Sequence, residues 1–357
     1  MKSSISNHLI ADCEIGLFLS GGVDSSLIAA LMATKLGSKK INALTLNSPH
    51  FKSPNLANKV SKSLGIDNHK IDIQPNDFQE LIEQTLQEID IPVYDPAIFT
   101  ARYLYRKANN LGCKVVITGD GADECFGGYS RHYLNYFFNK ILPSFISENI
   151  RNYIVQINNR FKLPRKINQT LHLFLSNSAA ESYLSLLSDN PSIHNQAQCI
   201  KTIVQDLFAT LPNPELYCEI DQRLFLPNKM LFKSDRASML EGLEARSPFL
   251  DMELLSIANR IDEFVPKKLL KIDLKKKIRN YPIHKKKEGF RTDFDLLEKT
   301  LNRLGFSRNL EEINEIIGFK DFKKNHPFKS QNIKINQKCP YGDWNYLSLA
   351  KWVDLNF

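Results

Sequence analysis

The sequence predicts an α/β fold, a parallel sheet flanked by helices with a largely helical second half. Three observations carry that expectation. Short apolar runs of strand length alternate with helical stretches through the first third, and two of those runs lead straight into glycine-rich turns. Strand patterning then stops after Tyr129.

Residues 15–19 form the first short apolar run, and residues 27–36 place Leu27, Leu31, Met32 and Leu36 at helical spacing. A strand, a tight loop and a helix follow from that pattern. Residues 41–46 give the second strand, 55–64 a helix, and 69–73 a third strand in which Ile71 and Ile73 alternate with polar neighbours. Helices are predicted over 78–89 and 99–109, before KVVIT at 114–118 supplies another buried strand. Such alternation is the signature of a parallel sheet covered on both faces. From about 131 to 224 the periodicity is helical, punctuated by Pro191, Pro212 and Pro214, with Pro227 just beyond, and the last third also reads mainly helical. Residues 1–130 are thus expected to form the α/β part and 131–357 the helical part of one domain, with no internal repeat or low-complexity linker.

Composition narrows the function classes. With 43% hydrophobic and 24% charged residues in 357, the chain can bury a large core. The net charge of +8 arises largely from late lysine clusters, at 267–279 and 285–287, and from a general richness in lysine. No nucleic-acid partner is expected from such a distribution. The six cysteines form no Cys-x-x-Cys pair, the eight histidines show no ligand spacing, and the N-terminus has no signal-peptide core. No run approaches the roughly 18 apolar residues of a membrane span, so the expectation is a soluble, cytoplasmic chain with reduced thiols and no membrane partner.

The loop SGGVDSS, Ser20 to Ser26, lies where ligands bind in open parallel sheets, beyond the carboxyl end of a strand. Gly21 and Gly22 let backbone N–H groups approach an anion. The helix start adds unpaired donors and positive dipole, and Ser20, Ser25 and Ser26 add hydroxyls. Phosphate is the expected guest. A Walker loop would carry a lysine, which this stretch lacks, and Asp24 beside phosphate makes sense as a ligand of Mg²⁺. A second loop, TGDGADECFGGYSRH at 118–132, follows KVVIT in the same way and brings Asp120, Asp123 and Glu124 together. Three acids near phosphate require a shared divalent cation or a carboxyl used in chemistry.

SGGVDSS resembles the pyrophosphate loop of the ATP pyrophosphatase (PP-loop) class, whose members split ATP between the α and β phosphates. With GDGADECFGGYSRH and KSDRASMLEGLEARSPFLD (233–251) in the same order, the chain resembles the synthetase domain of glutamine-dependent asparagine synthetases and their relatives. KKLLKIDLKKKI, KKKEGFRTDF and YLSLAKWVDLNF extend the likeness over nearly the whole chain.

The resemblance implies ATP and Mg²⁺ as cofactors and an adenine nucleotide alpha hydrolase-like fold. It implies that Ser20, Gly21, Gly22, Asp24, Ser25 and Ser26, with Leu46, Gly119, Gly121 and Lys233, bind nucleotide. Asp24 and Asp123 match the metal ligands, Asp120 the acid used at the activated carboxyl, and Lys271 the lysine that steadies the adenylate. Lys267 and Lys268 lie close enough in sequence to share that last assignment. On physical grounds Asp120 suits a general base for the attacking nitrogen. Arg236, Glu244 and Arg246 read instead as an internal salt-bridge network, and the aromatic segment after Tyr129 and Arg131 as apolar core.

Complete members of the family begin with a glutaminase domain, whereas this sequence starts Met1-Lys2-Ser3 only about a dozen residues before its first strand. The expectation is that ammonia is used directly, that a separate glutaminase subunit supplies it, or that the chain is a fragment. Departures at LNSPHFKSPN and YDPAIFTARYLYR bear on the carboxylate. The leading reading is amidation of aspartate to asparagine with release of AMP and pyrophosphate. An amide- or ring-forming ligase of the β-lactam synthetase or lasso cyclase type, and a non-catalytic nucleotide-binding relic, are the alternatives.

Overall fold

The computed structural model describes residues 1–47, 54–141, 179–187, 198–211, 217–260, 265–279, 281–282, 294–305 and 340–356. Five strands form one parallel sheet: β1 (Glu14–Phe18), β2 (Asn42–Asn47), β3 (Asp67–Asp72), β4 (Cys113–Ile117) and β5 (Glu244–Arg246). Their order is β3-β2-β1-β4-β5, with every neighbouring pair parallel. The α/β class expected from sequence is therefore the one observed, and its four predicted strands lie within two residues of their predicted bounds.

The fifth strand departs from the helical reading of the last third. Its three residues, Glu244, Ala245 and Arg246, carry no apolar alternation. Backbone pairing to Val115, Val116 and Ile117 holds them, extended by the Thr118 N–H donating to the Arg246 carbonyl at 2.9 Å. Its two charged side chains neutralise each other across the same face. Arg246 donates to both oxygens of Glu244 at 2.8 and 3.0 Å, and its remaining nitrogen donates to the carbonyls of His8 and Ile10. That guanidinium lowers the pKa of the Glu244 carboxyl. The expected salt bridge is present for this pair, whereas Arg236 reaches Asp90 at 3.5 Å.

The chain divides into two compact units, one of residues 1–119, 231–248 and 273–357, the other of 120–230 and 249–272. The first holds the sheet. Helices α1 (Lys2–His8), α2 (Val23–Leu36), α3 (Pro54–Leu64), α4 (Pro75–Glu88) and α5 (Ala97–Asn110) are joined there by later helices Phe232–Met239, Phe294–Leu304 and Pro340–Asn356. Helix α4 buries Phe78, Leu81, Ile82, Thr85 and Leu86, the spacing of one helical face, and against that face pack Leu297, Leu301 and Trp344. The indole N–H of Trp344 donates to the Val93 carbonyl at 2.8 Å, and its ring meets Phe99 edge-on at 5.6 Å.

One polar cluster is locked into this core. Arg102 is 2% exposed and donates to Glu241 at 2.6 Å, Glu88 at 2.6 Å and the Thr85 hydroxyl at 2.9 Å. Arg106 completes the pairing of Glu241 at 2.8 and 3.0 Å. The segment YDPAIFTARYLYR thus spends its arginines on structure.

The second unit is helical, as expected for this stretch. It contains α6 (Ala122–Phe126), α7 (Ser130–Ile141) and the helices Ala179–Leu187, Gln198–Thr210, Tyr217–Ile220 and Met252–Ala258. Tyr183, Phe208 and Tyr217 meet edge-to-face at its centre, with ring centroids 5.4–6.2 Å apart. Asp221–Leu231 runs on as a π-helix containing Pro227, a residue that cannot donate to a helical ladder. Lysines 285–287, KKKEGFRTDF except Phe294, residues 48–53 of LNSPHFKSPN, and Pro191, Pro212 and Pro214 lie outside the described residues.

Replacing Arg102 by Met should destabilise the protein by about 3 kcal/mol, because it takes a charged partner from the buried Glu241 carboxylate. The midpoint of urea unfolding measures it.

Candidate active site

In the first unit, β1 ends at Phe18 and α2 begins at Val23, so Leu19 to Gly22 must turn the chain. Gly21 makes the turn possible. Its φ of +76° is a left-handed value, and a Cβ there would stand 2.5 Å from the Ala57 backbone nitrogen on α3. Tyr281 holds the turn from the other side by donating to the Gly21 carbonyl at 2.7 Å. Burial pushes that phenol up to about 12, which keeps it a donor at neutral pH.

The serine hydroxyls are ordered around the same turn. Ser20 and Ser25 share a hydrogen bond of 3.0 Å, and the Gly22 N–H donates to the Ser20 hydroxyl at 3.3 Å. Ser25 and the buried Ser26 lie in the first turn of α2, whose leading N–H groups have no partners within the helix. Asp24, 6% exposed, sits in that turn as well. A Cβ built on Gly119, which follows β4 by two residues, would lie 3.5 Å from the Asp24 Cβ and 3.8 Å from the Ser25 nitrogen. The loops after β1 and β4 are therefore packed together. Leu46 is buried near the end of β2 opposite Ile71. Lys233, on the helix Phe232–Met239, is paired with Asp95 at 3.3 Å, and the other Asp95 oxygen accepts from the Ala97 N–H at the start of α5.

The second unit holds the other acids. Asp120 is half-buried. Gly121 takes a left-handed φ of +82° and starts α6, which carries Asp123 and Glu124 in its first turn. Asp123 is 7% exposed and its Oδ1 lies 2.8 Å from the Lys267 ammonium. Glu124, 1% exposed, accepts from the Tyr129 hydroxyl at 2.6 Å. Burial raises its carboxyl to about 7 despite that bond. Of the three lysines offered by sequence, Lys267 reaches the acidic loop. The Lys271 ammonium lies 5.8 Å from the Tyr133 ring centroid, and Lys268 is exposed.

Several of these partners were not visible from sequence. Asp221 is fully buried and accepts from Arg131 at 2.8 Å, His132 at 2.5 Å and Tyr183 at 2.5 Å. Arg131 lies over the rings of Tyr129, 4.1 Å from its centroid, and Phe225, at 4.5 Å. Tyr129 and Arg131 are therefore parts of a polar bracket behind Glu124, where the sequence suggested apolar core. The tyrosine, arginine and histidine clustered at 129–132 were the available signal, since such side chains in a buried helix need partners.

Among the described residues, no group of three or more His, Cys, Asp or Glu side chains is placed to hold a metal ion. Mg²⁺ commonly takes one or two carboxylates from protein and completes its shell with water and phosphate oxygens. The Asp123 carboxylate faces a cation already, the Lys267 ammonium, which a metal ion on the same oxygen would have to displace.

Together the fold and loop define an α/β protein whose central strand delivers a glycine turn, ordered hydroxyls and a buried acid to a helix N-terminus, an arrangement suited to an anion. The asparagine synthase family model matches residues 1–304, and the chain belongs to that family. It is 25% identical over 315 residues to asparagine synthetase [glutamine-hydrolyzing] 1 of Bacillus subtilis, covering 85% of this chain and 48% of that protein. A putative glutamine-hydrolysing asparagine synthetase of Mycobacterium bovis is 27% identical over 280 residues, 73% of this chain and 41% of its own. The chain thus spans about half the length or less of these curated relatives. A solved NH₃-dependent NAD synthetase of Campylobacter jejuni aligns with 66% of this chain and 91% of its own, at 18% identity and a TM-score of 0.30. No helix among the described residues is long and apolar enough to cross a membrane.

Gly21→Ala should abolish ATP binding, read by calorimetry, and lower the melting temperature, because the new methyl strikes α3 backbone. Glu124 generates a pH prediction. Its folded value of about 7 lies above the ordinary carboxyl value, so the folded state binds the extra proton and stability falls as pH rises from about 4.5 through 7. Relative to wild type, Glu124→Gln should therefore gain stability over that window, measured by unfolding at a series of pH values.

Proposed function

We propose that this protein is an ATP-dependent amide-forming ligase that activates a carboxylate by adenylation and transfers it to ammonia, with aspartate as the carboxylate and asparagine, AMP and pyrophosphate as products. The observation that carries the reading is the glycine turn between β1 and α2, pinned by Tyr281 and carrying Ser20, Ser25 and the buried Asp24, in a chain of the asparagine synthase family. Ammonia comes directly from solution or from a glutaminase partner.

A carboxylate resists attack until its oxygen is made a good leaving group, so the site must gather phosphate charge and then exclude water. Ser20, Gly21, Gly22, Ser25 and Ser26 serve the first need with hydroxyl and backbone donors at a helix N-terminus. Leu46 offers an apolar surface to the nucleotide, Gly119 and Gly121 present backbone to it, and Lys233 adds positive charge. Asp24 and Asp123 would hold Mg²⁺, which when bound neutralises phosphate charge and polarises the phosphorus under attack. Asp120 accepts the proton that the attacking nitrogen must lose. The lysine segment that contains Lys267 and Lys271 supplies the cation for the developing charge on the leaving group.

Purified chain given Mg-ATP, aspartate and ammonium should release pyrophosphate and form asparagine in equal amounts. Asp120→Ala should lower turnover by about 10²- to 10⁴-fold while ATP binding persists. Release with a different carboxylate, and none with aspartate, would move the assignment to another ligase of this kind. Unchanged turnover in Asp120→Ala would remove that residue from the chemistry.

A further inference from the structure

Lys267 combines three features that occur together at no other lysine among the described residues, Lys351 sharing its burial and its close aspartate but not its backbone conformation. It is the only non-glycine residue there with a left-handed backbone, at φ 58°. It is 5% exposed, although lysine is among the residues least often buried. Its ammonium lies 2.8 Å from Asp123 Oδ1. The backbone is tied down as well, since the Lys267 N–H donates to the Phe126 carbonyl, at the end of the helix that carries Asp123, at 2.6 Å. Gly128 clears the space for this pair. A Cβ there would stand 1.6 Å from Asp123 Oδ1 and 2.8 Å from Lys267 Cε, so any other residue would force the two apart.

A strained residue persists only where its surroundings over-determine it, and here they aim one ammonium at one carboxylate oxygen. A divalent cation on that oxygen and an ammonium at 2.8 Å would repel each other strongly in so buried a place. We propose that Lys267 is a positioning residue that stands in for the metal at Asp123, holding the carboxylate in place until a metal–nucleotide complex arrives and displaces the ammonium toward phosphate. Nucleotide-free protein then binds divalent cation poorly, and metal and nucleotide enter together. The inference rests on the reading of Asp123 as a metal ligand.

The test is titration of the full chain with Mn²⁺, free ion being followed by electron paramagnetic resonance. Without nucleotide, wild type should bind weakly, and Lys267→Gln and Lys267→Met about tenfold or more tightly. Gln keeps a hydrogen-bond donor to Asp123, so it preserves the loop if Met does not fold. Lys268→Met removes the same charge from the exposed neighbouring position and should leave affinity as in wild type. Thermal unfolding gives a second reading, in which Mn²⁺ raises the melting temperature of Lys267→Gln more than that of wild type. Equal affinity in wild type and Lys267→Gln, or an equal gain in Lys268→Met, would overturn the inference. Asp123→Asn, titrated with Mn²⁺ in the presence of ATP, separates the two levels. Unchanged binding overturns the metal-ligand reading and the inference with it, whereas lost binding without a gain in Lys267→Gln overturns the inference alone.

Discussion

Everything at the centre of the first unit depends on β1 being the strand from which the sheet grows in both directions. With β2 and β3 on one side and β4 and β5 on the other, the loops that follow β1 and β4 leave adjacent parallel strands at the same end of the sheet. The turn at Gly21 lies so close to α3 that no side chain fits there, which leaves backbone N–H groups and hydroxyls as its chemistry. Gly119, packed against the first turn of α2, fixes the second loop to the first at its root.

The second unit faces a different problem, the confinement of acids. Each solves it differently: Asp123 by a lysine, Glu124 by a tyrosine hydroxyl and a raised affinity for its own proton, Asp221 by an arginine, a histidine and a tyrosine at once. The bracket through Tyr129 and Arg131 connects the last two, since Arg131 binds Asp221 while its plane covers the ring that serves Glu124.

Much of this was legible in the sequence because its signals are local. The runs at 15–19 and 114–118 are apolar and short, and glycine turns follow them at once. What was hidden is whatever the fold brings from afar. β5 has a polar sequence and becomes a strand only because β4 offers an unpaired edge. Lys267 lies in a lysine-rich run where periodicity does not distinguish it from Lys268 and Lys271, and only the fold shows that it faces Asp123. Tyr281 and Asp221 carry no motif, and their importance is a matter of which carbonyl or arginine lies opposite.

The first unit is also assembled out of chain order. Its third, fourth and fifth strands are separated by long stretches, and the Trp344 indole that seals the α4 face bonds to Val93, 251 residues earlier. Contacts so distant in sequence close late, because the intervening chain must first be restrained. During synthesis the apolar face of α4 therefore emerges from the ribosome long before the tryptophan that covers it, and this half of the molecule reaches its final packing only when its last helix has been made.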